Sequence, residues 1–344
     1  MFTLSTGFWY QFTFEVLLFI HNSFTLLLYI DYEVFNMKVK KIRKRFFLIV
    51  LILSVSIFLQ GLNQNIKVNQ LIRDFKERGI EGETVTIYFD NGMEEIRMYH
   101  PVERINEYEK ADTRSLFYTT KDEPFIGKKG DIFVTQESPF PNIFGFHQLM
   151  SFFVGGHAAL NNGNNQFIEA VGFPKDDESI FDIIKDPSDG THDYSVGVRQ
   201  SSTNYWMLPY FRGENDLSYP YYGSYYREKF VVLRVNNIDE EKLDQTMSYA
   251  NEHLENRSLY NFLFIMDTKN KFYFTDFISR SYRYGLSKNS SDKNYPKTLN
   301  DNGFVTTVND LILSKDTYIT AYVENTDGIR HIYYLEDEGL TSNE

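Results

Sequence analysis

The chain has 344 residues, a formal net charge of -12, 17% aromatic residues and no cysteine. That length holds one large domain or two average ones, and the aromatic content argues against disorder. The missing cysteines exclude disulfides, a thiol nucleophile, Cys-ligated zinc and a lipidated N-terminal Cys, and an acidic chain whose basic residues cluster only once excludes nucleic acid as a partner.

Residues 8–30 are apolar apart mainly from Glu15, His21 and Asn22. The run is long enough to span a bilayer, although Glu15 near its middle costs about 2–3 kcal/mol there. Met37 is followed by KVKKIRKR, six basic residues in eight, and then by the apolar run 46–59. A basic region before an apolar one is the pattern of an export signal. No small-x-small cleavage site follows in FLQGLNQN, so the reading is an uncleaved signal anchor over 37–63. Residues 1–36 are either translated sequence upstream of a start at Met37 or a second membrane segment. In both cases the basic cluster stays cytoplasmic and the main domain is extracytoplasmic, at the cell membrane. A buried apolar helix of a soluble protein is the plainer alternative, and the adjoining basic block weighs against it.

Residues 65–79 suggest a short amphipathic helix, with Ile66, Leu71, Ile72 and Phe75 on one face. Residues 84–90 and 93–99 alternate around Asp90-Asn91-Gly92, a strong hairpin signal. Residues 64–124 are therefore read as a connector with a small hairpin, 125–325 as the main domain and 326–344 as an acidic tail.

The main domain is organised around GDIFVTQESPFPNIFGFHQLMSFFVGGHAALNNGNNQFIEAVG, residues 130–172. A Gly-Asp turn leads into a strand at 132–135 and then a long loop. Two short strands, 157–160 and 166–170, follow, joined by an Asn/Gly run that tolerates the positive φ of a tight turn. The hairpin brings His157 near Glu169, an imidazole steered by a carboxylate. An ordinary hydrogen-bonded histidine beside a partly buried acid is the bland alternative. His147, on the intervening loop, makes at most a poor metal site with His157.

Residues 176–193 form an acidic insertion whose DPSDGTHD run does not match the ligand spacing of a calcium loop. Residues 201–226 are rich in aromatics, Tyr205 and Trp206 among them, and either line a binding cleft or pack on the core. A buried strand is expected at 230–235 and a helix over 239–254, capped by Asp239. Tyr260-Asn261-Phe262 follows, and then KFYFTDFISRSYR, with helical spacing at Phe274, Phe277, Ile278 and Tyr282. Residues 304–313 and 317–324 suggest a packing segment and an edge strand. There is no internal repeat, no phosphate loop, and no motif for a metal or a cofactor.

The order of these pieces over about residues 125–323 resembles the circularly permuted papain-like proteins of the NlpC/P60 superfamily, in particular the YiiX/YaeF-like group. The resemblance implies an α+β fold, an antiparallel sheet packed on helices, with membrane segments in front. It also implies that His157 in GGHAAL is the base and Glu169 in FIEA the group that orients it. The nucleophilic cysteine of that group opens the late helix, and here Phe274 of YFTDFI stands in its place. Thr275 is the neighbouring hydroxyl, but one helical position turns it about 100° away. Tyr205, Trp206, Tyr260 and Asp276 are the expected binding residues. The chain thus reads as an exported cell-envelope module that has lost its nucleophile and holds a peptide, acyl or cell-wall-linked ligand. The alternative is a peptidase or amidase that uses His157 as base with Thr275.

Overall fold

A computed structural model describes residues 38–117, 125–138, 143, 145–153, 155–175, 177–208, 227–264, 270–287, 299 and 305–336. The possible membrane segment within 1–36 lies outside these residues, as do most of the aromatic stretch 201–226 and the end of the tail. The chain divides into residues 1–61 with 174–178, and residues 62–173 with 179–344.

Helix α1 runs unbroken over Lys38–Glu77. The expected short helix at 65–79 is therefore the end of a longer one. No proline interrupts the span, and its single glycine, Gly61, costs only about 1 kcal/mol in a helix. The apolar side chains of residues 46–59 are exposed, and from Lys44 onward this is the one described helix long and apolar enough to cross a membrane.

The larger unit is built on a nine-stranded mixed sheet in the order β1-β2-β11-β10-β7-β3-β4-β5-β6. Its strands are β1 Thr84–Tyr88, β2 Glu94–Val102, β3 Ile132–Thr135, β4 His157–Asn161, β5 Phe167–Val171, β6 Gly197–Gln200, β7 Lys229–Val235, β10 Thr317–Thr326 and β11 Ile329–Leu335. Every pairing is antiparallel except β11 with β2. The sheet therefore departs from a purely antiparallel one, and the hairpin assigned to a connector is its outer part. Residues 326–335, read as tail, supply β11, and β10 lies inside the sheet rather than at its edge.

Alternating side chains serve two faces. Ile132, Val134, Ala158 and Leu160 join one core cluster with the helices, whereas Phe133, Ala159, Phe167 and Trp206 join another. Against the first face lie α5 (Glu240–Glu255), α6 (Phe274–Leu286) and α7 (Val308–Ile312). Asp239 caps α5 by accepting from the Lys242 N–H at 2.9 Å. Helix α6 meets α5 at Gly285, where a Cβ would stand 2.0 Å from the Thr246 hydroxyl. Short helices α2 (Glu107–Ala111), α3 (Phe146–Phe153) and α4 (Ile180–Lys185) occupy stretches read as irregular chain. A small parallel pair, β8 (Leu259–Tyr260) and β9 (Lys271–Phe272), leads into α6.

Asp131, read only as a turn residue, is fully buried and grips Arg234 of β7 through two bonds, 2.7 and 2.9 Å long. Arg234 also reaches Asp112 at 2.8 Å, and Tyr282 donates to the Gly130 carbonyl. The Gly-Asp turn is thus tied to β7 on one side and α6 on the other.

Candidate functional site

The β4–β5 turn has the left-handed backbone that its sequence foreshadowed, with φ of 90° at Gly163 and 60° at Asn165. Asn161 Oδ1 accepts from the Gly163 N–H at 2.7 Å, and Asn162 Oδ1 from the Asn164 N–H at 2.8 Å. With Leu160 opposite Ile168, His157 and Glu169 fall on one face. His157 Nε2 is hydrogen-bonded to Glu169 Oε2, both side chains being buried. Tyr205 donates its hydroxyl to the same carboxylate oxygen at 2.5 Å. Arg227 reaches the Tyr205 hydroxyl at 3.4 Å, and its guanidinium stands 4.3 Å from the Trp206 ring centre.

Charge within this group is set by burial and by Arg227. Burial lowers the His157 pKa, and the neighbouring guanidinium lowers it further, against the pull of Glu169. Burial pushes Glu169 up, but His157, Arg227 and the Tyr205 hydroxyl together hold its carboxyl below the usual range. The stable neutral-pH state is a neutral imidazole donating from Nε2 to a carboxylate. Among the described residues no hydrogen bond engages Nδ1, the nitrogen left to act as acceptor.

Gly156, just before the imidazole, is needed for close approach. A Cβ there would lie 1.5 Å from the Glu137 carbonyl oxygen, while the Gly156 N–H donates to Thr135 at 2.9 Å. This fixes where β4 starts and therefore where the ring stands.

Facing His157 is Phe274, the first residue of α6, with ring centres 5.6 Å apart. The ring is 6% exposed. Thr275 is fully buried and donates to the Thr306 carbonyl, so its hydroxyl is committed away from the imidazole. Ser281 likewise bonds back to Phe277 at 2.8 Å. A buried histidine–hydroxyl pair elsewhere, His253 Nδ1 with Ser258 at 2.8 Å, has its serine 1% exposed and serves packing.

The expected binding residues divide. Tyr205 bonds Glu169, as above. Trp206 is 1% exposed, stacks near His157 at 6.1 Å, and has a buried indole N–H with no hydrogen-bond partner among the described residues. Tyr260 packs in the core, its ring against Gly172, where a Cβ would stand 2.6 Å away. Asp276 pairs with Arg280 at 3.3 Å on α6. Arg227 escaped the sequence reading; its only signal was a cation bordering an aromatic run. Among the described residues no three His, Cys, Asp or Glu side chains are grouped to hold a metal, His147 and His157 included. Comparison with protein families, with curated proteins and with solved structures finds no match.

Proposed function

We propose that the chain is a membrane-anchored, extracytoplasmic binding module built on a permuted papain-like domain of the YiiX/YaeF-like kind, in which catalysis has been lost. One observation carries this reading. The imidazole–carboxylate pair is intact, yet the side chain set against it is a phenyl ring, and the adjacent hydroxyl of Thr275 is spent on a backbone carbonyl. A phenyl group neither gives up a proton nor attacks a carbonyl, so neither Phe274 nor Thr275 offers His157 a group to activate.

The unpartnered indole N–H of Trp206 supports binding rather than mere packing. A buried donor without a partner costs about 1–3 kcal/mol, which an incoming carbonyl or carboxylate recovers. Arg227 adds positive charge beside it. Acceptor-bearing peptide, acyl or cell-wall-linked groups match this chemistry. The anchor is α1, whose exposed apolar run follows a basic cluster.

Phe274→Cys in the full chain tests the reading. At the N-terminus of a helix and beside an imidazole a thiol is favoured as thiolate. The variant is expected to react with a thiol-directed acyl probe near neutral pH, roughly tenfold faster than the same variant carrying His157→Ala. Equal rates in the two would detach His157 from position 274. Amide hydrolysis by the unaltered protein that survives His157→Ala would sink the proposal.

A further inference from the structure

A concave site lies away from His157, where the C-terminal half of α1 faces α2 and the turn into β10. It encloses about 470 Å³. Phe75 and Ile319 form an apolar floor, and Leu71, Ile105 and Tyr108 form a rim left 39%, 51% and 38% exposed. Uncovered apolar walls around a hollow of this size mark a place where something binds.

Its charges indicate the chemistry. Arg78 is satisfied by Glu109 through two bonds of 3.0 and 3.2 Å, and Asp74 faces Arg73 at 3.8 Å. Lys67 and Lys315 also line the hollow, and among the described residues neither has an acid within ion-pair distance. Two lysines thus stand beside an exposed apolar wall in a chain of net charge -12. An anion with an apolar tail meets both features at once. Lys67 follows the apolar run 46–59 of α1 by eight positions in the sequence.

We infer that this hollow binds an anionic membrane phospholipid, with Lys67 and Lys315 on the headgroup phosphate and Leu71, Phe75 and Ile105 on the first part of an acyl chain. The inference draws on the anchoring reading for the source of the lipid, but the site itself stands on its own residues.

The test uses the full chain in detergent micelles with photoactivatable phosphatidylglycerol or phosphatidylcholine at equal mole fraction, cross-linked peptides being mapped. Phosphatidylglycerol is expected to label the peptides holding Leu71, Phe75 and Ile105 in preference. Each lysine near a headgroup is worth about fivefold in binding, so Lys67→Gln or Lys315→Gln should each reduce labelling by about that factor. Both lysines lie on the surface, and unchanged unfolding curves verify that the variants fold. Equal labelling by the two lipids, labelling confined to residues 46–59, or indifference to both substitutions overturns the inference. Competition by millimolar glycerol phosphate would mean a free-anion site and would overturn it too. Flotation of the chain with vesicles, scored separately, reports on the anchor alone, so the two readings fail independently.

Discussion

Tyr205 shows how much a single hydroxyl can hold. It donates to the Glu169 carboxylate oxygen that His157 also engages and carries Arg227 across its own ring. Tyr205→Phe leaves a buried carboxylate oxygen with one donor fewer, at an expected cost of about 1–3 kcal/mol in denaturant unfolding. Arg227→Gln removes a positive charge that disfavours imidazolium. The His157 pKa should therefore rise in the variant, as followed by its ring resonances; an unchanged titration would mean that Arg227 does not act on it. Of these residues, His157 and Glu169 were legible because a two-residue repeat and an Asn/Gly turn are local signals. Arg227 and the Thr275–Thr306 bond were not, because each depends on where distant chain comes to rest.

At the scale of elements, tight backbone approaches carry the load. Gly285→Ala would press a methyl into Thr246 at the α5–α6 crossing and should cost about 1–3 kcal/mol. The substitution tests whether that crossing is as close as described; a neutral effect would mean the helices part easily. Arg234 is more exacting. It pairs with Asp131 and Asp112 together, and Arg234→Met would leave the buried Asp131 without its cation while Asp112 keeps Arg114, an expected loss of about 3–5 kcal/mol in urea titration. Strongly patterned elements such as β7, α5 and α6 could be read from spacing. Helices α3 and α4 could not: each is short, and neighbours rather than periodicity decide it.

For the whole molecule, two groups set opposed pH slopes. Burial and then Arg280 lower His253 to about 4, so the unfolded chain binds the extra proton. Its contribution to stability grows as pH rises from about 4 to 6.5. Burial raises Glu137 to about 7, so there the folded chain holds the proton. That contribution is complete below about 4.5 and is lost as pH climbs through 7. Glu137→Gln should therefore unfold at higher denaturant than the parent at pH 8, with the difference shrinking towards pH 5. A pH-independent difference would mean that Glu137 titrates normally.

The parallel pairing of β11 with β2 also has a temporal side. The two strands lie about 230 positions apart. A ribosome delivers the β1–β2 hairpin before the other strands of the sheet and its neighbour β11 after all of them. Until then Tyr99 has no Tyr334 to pack on, and the outer edge of β2 stays open to any other strand. The nascent chain therefore carries a sticky edge while the rest of the sheet is made, and the stretch most in need of a chaperone is the first part of the sheet to emerge.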